Sequence, residues 1–387
     1  MDFRSSLLLL ALAATSPAQT VWTVPNGADV NAVIAQASPG DILQLGAGHP
    51  SFTVDKGVTI VGQAGYTAIY PPPTSFPWVG GHIVVAVPPG QRASLSRLWV
   101  GAGSDGYFWY WGTVALQSGY AVLTDTSVEG YVTVSGGTQV VERMQISRGT
   151  FEVTAGICEI SDSTLSGRDD GSFPPWGNTV GMRVTGGTVV GSRLTVSGGD
   201  AGFPYGSPSA AWAVIATGGT TYLTDCSLLG GNGLLSPSFV VGAPAFSGTG
   251  PLCAARTTFA SGTNATSASA SYQSIPELVG LRCDTAPTRG ATFTVTATAG
   301  SSQGLLGMIG GFDMAPFTLP LIVEPMFGNP AQWIVLVATV PAPGAAVPYA
   351  VPVPNVASLH GVDVWVQAAQ LAATEIRASV LVGGTIQ

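Results

Sequence analysis

Aromatic rings and carboxylates crowd into three short stretches of this chain, and that combination is the usual equipment for handling sugars. Residues 102–112 hold Asp105 and the run Tyr107, Phe108, Trp109, Tyr110 and Trp111. Residues 168–180 hold Asp169, Asp170, Phe173 and Trp176, and residues 199–211 hold Asp200, Phe203 and Tyr205. A looser stretch covers 231–246. Rings can stack on the C–H faces of a sugar while carboxylates bond its hydroxyls. The alternative is that the rings pack these stretches into small satellite cores. Adjacent carboxylates such as Asp169 and Asp170 could divide acid and base duties if their surroundings split their pKa values. Asp105, Asp169, Asp170 and Asp200 are also weak calcium candidates, without EF-hand spacing; no other cofactor is implied.

Other chemistries find little support. Charged residues are only 9% of the chain, the formal net charge is −8, and Lys56 is the sole lysine. A phosphate backbone would meet few cations, so nucleic acid is not an expected partner. His49, His82 and His360 are too scattered to form a metal site by sequence. No phosphate-binding glycine loop or nucleophile elbow stands between a strand and a helix. The four cysteines, Cys158, Cys226, Cys253 and Cys283, show no C-x-x-C spacing.

Something must hold the aromatic stretches in place, and an internal repeat supplies it. One pattern recurs: apolar, small, charged, any, any, apolar, then glycine. Its charged position falls at Arg97, Asp125, Arg143, Asp162, Arg193, Asp225 and Arg256, separated by 28, 18, 19, 31, 32 and 31 residues. Between copies lie alternating segments closed by glycine, such as YVTVSGG (131–137) and FEVTAG (151–156). Period-two alternation buries one face. Each unit has too few strands to bury that face alone, so units must stack. The expected fold class is all-β: a right-handed parallel β-helix over 19–285, then a small antiparallel β-sandwich over 286–387. Asp29 should cap a helix over Val30–Ala37 that covers the open end of the stack. Residues 1–18 read as a signal peptide, with Arg4, an apolar run and Ser16-Pro17-Ala18. Export to the extracellular space or cell surface is therefore expected. No segment is long enough to span a membrane.

The stretch VNAVIAQASPGDILQLGAGHPSFTVDKGVTIVGQAG (30–65) resembles the opening of the pectin-lyase-like right-handed β-helix superfamily of secreted bacterial proteins. The likeness extends over the cap and the repeats, roughly residues 20–285. It implies the fold and leaves the chemistry open, because that fold hosts enzymes, adhesins and structural proteins. Asp169-Asp170 resembles the paired aspartates of polygalacturonase-type hydrolases, but the matching histidine and basic triplet are missing here. The segment VPYAVPVPNVASLHGVDVWVQAAQL resembles a C-terminal module of secreted bacterial repeat proteins.

The long intervals exceed the short ones by inserted residues, and the insertions are the aromatic stretches. Leaving at one corner, they would stack on one side of the solenoid. The repeats of Asp125 and Arg143 carry none. They would form a low floor of Glu129, Tyr131, Arg148 and Phe151 between walls of Trp109, Trp111, Asp169, Asp170 and Trp176. Three strand spacings set the walls roughly 14 Å apart. The ligand-binding candidates are thus Trp109, Trp111, Tyr131, Trp176 and Asp105, with Asp169, Asp170, Glu129 and Arg148 as weak catalytic ones.

The expected function is binding of an extracellular polysaccharide or a cell-surface component without catalysis. The alternative is a polysaccharide lyase or glycoside hydrolase working in the cleft. Two structural expectations accompany it. The alternating charges Arg97 to Arg256 should form one continuous ladder at strand spacing. Cys253 and Cys283 should form a disulfide, while Cys158 and Cys226 stay buried and free.

Overall fold

The structure is a computed structural model. It describes residues 19–70, 81–101, 111–168, 179–201, 210–233, 241–265, 269–283 and 285–311, and most of 314–386. Residues 1–18, Asp105, Trp109, Asp169, Asp170, Trp176 and His360 lie outside the described residues.

Among the described residues the protein is all-β, apart from one short helix. Its main feature is a parallel sheet of 24 strands. The pairings run as three ladders. The first joins Thr59–Val61, Arg92–Ser96, Tyr120–Thr124, residues 138–142, residues 157–161, Thr188–Ser192, Thr220–Thr224, Leu252–Ala255 and Gln273–Ser274. The second runs from Gly48–Pro50 through Thr67–Tyr70, Leu98–Val100, residues 127–129, residues 145–147, Thr164–Ser166, Thr195–Ser197 and Ser227–Leu229 to Thr258–Ala260. The third runs from Phe52–Val54 through His82–Ala86, Gly112–Ser118, residues 130–134, residues 150–155, Met182–Val184 and Val214–Ala216 to Phe246–Gly248.

The chain visits the ladders in the order first, second, third, and each pass pairs with the pass before it. Alternation decides which side is buried. In the third ladder Ile83, Val114, Val132, Phe151 and Met182 have almost no exposure, while His82, Thr113 and Tyr131 are partly exposed.

The bend from the first ladder to the second is made by the charged residue of the repeat. Arg97, Asp125, Arg143, Asp162, Arg193, Asp225 and Arg256 all have φ between 48° and 57°. That left-handed conformation costs a non-glycine residue about 1–2 kcal/mol. The return from third ladder to first uses glycine instead, at Gly137, Gly156, Gly187 and Gly219, with φ of 67–82°.

Helix α1 spans Val30–Gln36, with Val30 and Ile34 buried. The Asp29 carboxylate accepts the Asn31 backbone N–H at 2.9 Å, as an N-cap should. The Asn31 side-chain oxygen accepts the backbone N–H of Thr53 at 2.9 Å. A donor on the outermost strand of the third ladder is thereby satisfied.

The chain divides into two compact units: Thr23–Gln36 with Gln44–Pro276, and Glu277–Gln387 with the short segments up to Trp22 and at Ala37–Leu43. The second unit is built of antiparallel sheets. Gly280–Cys283, Thr292–Thr298 and Ala346–Pro352 form one, and Ile334–Thr339, Leu305–Gly311, Asp363–Leu371 and Ile376–Thr385 form another.

The expected Cys253–Cys283 disulfide is absent. All four cysteines are buried, and none is in a disulfide. Each of that pair is satisfied where it stands, with Cys253 Sγ donating to Gln273 Oε1 and Cys283 Sγ to the Thr285 carbonyl. Burial pushes the Cys226 thiol up to about 12 and raises the Cys158 thiol further.

Candidate functional site

The corner between the second and third ladders is where the inserted stretches leave. After Val100 the chain departs at Gly101 and returns at Trp111, after Ser166 it departs near Arg168 and returns at Thr179, and after Ser197 it departs near Ala201 and returns at Ala210. A further insertion, residues 71–80, leaves at the same corner between Thr67–Tyr70 and His82–Ala86. It carries Phe76 and Trp78, which lie outside the described residues, and was not counted among the aromatic stretches above.

The necks of successive insertions are bonded to one another. Gly199 N donates to Thr179 O, Ala211 N to Gly199 O, Gly231 N to Ala211 O, Ala243 N to Gly231 O and Gly262 N to Ala243 O, at 2.8–3.1 Å. Side chains reinforce the stack. Asp200, a calcium candidate, accepts from the Asn232 backbone at 2.5 Å and from its amide at 3.2 Å, and Asn232 in turn accepts from Thr263 N. Both Asp200 oxygens are thus used in bracing. Among the described residues, no three His, Cys, Asp or Glu side chains group as a metal site.

Two successive repeats turn this corner without an insertion, and glycine makes that fit possible. Gly112 and Gly130 are register partners. A β-carbon on Gly130 would lie 2.1 Å from Gly112 O, and one on Gly149 would lie 1.5 Å from Gly130 O. The second of these repeats has one extra residue. Arg148 sits there with φ 56°, and the register shifts by one. That shift pairs Tyr131 with Thr150 and turns Phe151 inward beside Val132. Phe151 is fully buried, so it belongs to the core and not to the floor. The floor residues that remain are Glu129, Tyr131 and Arg148. Arg148 lies 3.6 Å from the Glu129 carboxylate and keeps a 57% exposed side chain.

An open cleft between the first and second insertions was expected, and its base is bridged. The Arg168 guanidinium lies over the Trp111 ring, 4.5 Å from the centroid. Their backbones stand at repeats three strand spacings apart, about 14 Å. Only two long side chains extended toward each other close such a gap. The contact is a cation–π interaction. One face of the Trp111 ring is therefore taken by Arg168.

Sequence reasoning set His82 aside as too far from the other histidines to form a metal site. Instead it opens a strand of the third ladder, in register with Thr113, which is in register with Tyr131. His82 Nδ1 and the Thr113 hydroxyl are within hydrogen-bonding reach. Partial burial pulls the imidazole below its ordinary value. The missed signal was a shared opening: Gly81-His82, Gly112-Thr113, Gly130-Tyr131 and Gly149-Thr150 each pair glycine with an outward residue before an apolar one.

Along the corner between the first and second ladders, ion pairs join neighbouring bends. Arg143 Nε donates to Asp125 Oδ1 at 2.7 Å and Nη2 to Oδ2 at 3.1 Å. Arg256 grips Asp225 the same way at 2.6 and 3.1 Å. Arg193 Nε donates to Asp162 Oδ1 at 2.5 Å, and its Nη2 bonds the other oxygen. Arg143 also bonds the buried Glu142 carboxylate. At the start of the series, Arg97 Nε is buried without a hydrogen-bond partner. These fork-shaped contacts hold bends together.

No helix among the described residues is long and apolar enough to cross a membrane. No protein-family model matches the chain. No curated protein matches it either. One solved structure aligns, the crystal structure of Spo0M, a sporulation control protein from Bacillus subtilis, at 10% identity and a TM-score of 0.17. That alignment covers 28% of this chain and 49% of the other, about half of the solved structure's length.

Proposed function

We propose that this chain is a secreted right-handed parallel β-helix of the pectin-lyase-like kind that binds an extracellular polysaccharide or cell-surface component at its insertion corner. In this reading the three ladders are the walls of the helix, α1 caps its first turn, and the C-terminal unit is an appended sandwich. The observation that carries the reading is the outward column His82, Thr113 and Tyr131, partly exposed at successive strand spacings beside the necks of the insertions. A sugar chain laid along the ladder axis would meet one hydrogen-bonding side chain per strand, with Tyr131 also offering a ring face. The Arg168–Trp111 bridge favours that direction, because it obstructs a chain crossing the corner. The necks brace one another, so the site would need little ordering on binding.

A second reading, a lyase or hydrolase in the same place, gains from His82. An imidazole held below its ordinary value and close to hydroxyls can serve as a base. Calcium held by Asp105, Asp169 or Asp170 would belong to that reading.

The test is a glycan array on the secreted protein, followed by product analysis on each glycan retained. The binding reading expects retention of an intact glycan. New reducing ends or unsaturated products would favour catalysis, and retention of nothing would overturn both readings.

A further inference from the structure

Beside the column His82, Thr113 and Tyr131 runs a second outward row, two residues further along each strand: Val84, Ala115 and Thr133. All six residues are partly exposed, and those between the rows, Ile83, Val114 and Val132, are buried. Each row repeats at about 4.8 Å, and the two lie about 6.7 Å apart.

The rows differ in kind. The first carries hydrogen-bonding groups, and every member of the second carries methyl groups. No carboxylate, ammonium or guanidinium stands in either over these three strands. Both rows end together. On the next strand the first meets the buried Thr150, and the second meets Glu152, followed by Arg183. Arg148, which stands at the corner just before that strand, faces the Glu129 carboxylate at 3.6 Å.

A ligand suited to this surface has a C–H face for the methyl row and hydroxyls along its edge for the polar row. Burial of apolar area favours the first contact, and partners for the hydroxyls remove the cost of desolvating them. A sugar ring with mostly equatorial hydroxyls has that shape, because its C–H bonds point to the faces and its hydroxyls to the rim. To repeat the fit on each strand, the chain must run straight and advance by close to one strand spacing per sugar. β-1,4-linked chains form flat ribbons of that kind, whereas α-1,4- and β-1,3-linked glucans coil. A uronate chain would press one carboxylate per sugar against rows that offer it no guanidinium or ammonium.

We infer that the ligand of this corner is a neutral β-1,4-linked polysaccharide, lying along the ladder axis with one sugar on each of three strands. The inference rests on the sugar-binding reading above and narrows it to one class of glycan.

The test titrates the full chain with cellohexaose, mannohexaose, xylohexaose and chitohexaose, beside maltohexaose, laminarihexaose and a galacturonate hexamer. Saturable binding of at least one of the first four, and of none of the last three, is expected. Shorter members of the bound series should gain affinity from two sugars to three and little beyond four. Ala115→Asp sets a charge in the methyl row and should weaken the bound oligosaccharide at least ten-fold. Thr195→Asp, exposed on the second ladder, should leave it unchanged. Should Ala115→Asp fail to fold, the panel decides alone. Binding of a coiled or anionic oligosaccharide that His82→Ala/Tyr131→Ala abolishes would overturn this inference and leave the sugar-binding reading standing. A ribbon oligosaccharide held equally by the wild type and Ala115→Asp would overturn it too. Binding of none of the seven would overturn it outright, and the glycan array then decides the broader reading.

Discussion

Seven bend residues carry a positive φ and a charge together, and the two properties need each other. A left-handed Arg or Asp costs about 1–2 kcal/mol, which glycine would avoid. What Arg and Asp add is the fork-shaped contact to the next bend, seen for Asp162 with Arg193. Both side chains are about four-fifths buried, so the pair is screened less than a surface pair. Asp162→Ala should destabilise by about 1–2 kcal/mol, and Asp162→Arg should cost more, because it sets like charges at strand spacing. Urea unfolding of both variants checks this, and equal losses would contradict it. The folded pKa of His82 is depressed, so the unfolded state binds the proton more readily, and stability falls as pH drops through the ordinary histidine range. Replacing His82 with Asn should remove that part of the pH dependence, measured as melting temperature between pH 7 and pH 5. The cysteines make a plainer prediction. With four buried cysteines and no disulfide among them, a reductant should leave the melting temperature unchanged, and a thiol reagent at pH 8 should label none until the protein unfolds.

At the scale of elements, the insertion corner depends on bare backbone. Gly149→Ala would drive a β-carbon to 1.5 Å from Gly130 O, where only backbone movement can relieve it. A loss of at least about 1–3 kcal/mol is expected. Gly307→Ala is the contrast, since its β-carbon would meet nothing closer than 4.0 Å, and little change is expected. The repeat, its glycine turns and the insertions that interrupt it were legible in the sequence, because each is a local pattern repeated several times. Three things were not. The insertion at 71–80 was missed because it lies before the first clear bend, Arg97, where no earlier copy marks the period. Phe151 was placed on the wrong face because the one-residue shift at Arg148 reverses an alternation that looks unbroken. The Arg168–Trp111 contact depends on how far two side chains reach over intervening strands, and spacing alone does not reveal that.

At the scale of the whole chain, two units do different kinds of work. The parallel unit repeats one short motif strand upon strand, and insertions leave it at a single corner. Its scarcity of charge suits a neutral, hydroxyl-rich ligand better than an ionic one. The antiparallel unit is built of short sheets with no such repeat. The Cys253–Cys283 link was expected because both residues lie near the end of the repeats, but neither is in a disulfide.

The central claim is that the column His82, Thr113 and Tyr131 forms the sugar-binding surface. The most direct measurement is a glycan array run side by side on the wild-type protein and a His82→Ala/Tyr131→Ala double variant of matched melting temperature. The account predicts a retained glycan whose signal falls at least ten-fold in the variant, consistent with about 1–3 kcal/mol lost with a central aromatic anchor. A glycan held equally by both proteins would place binding elsewhere and contradict the account.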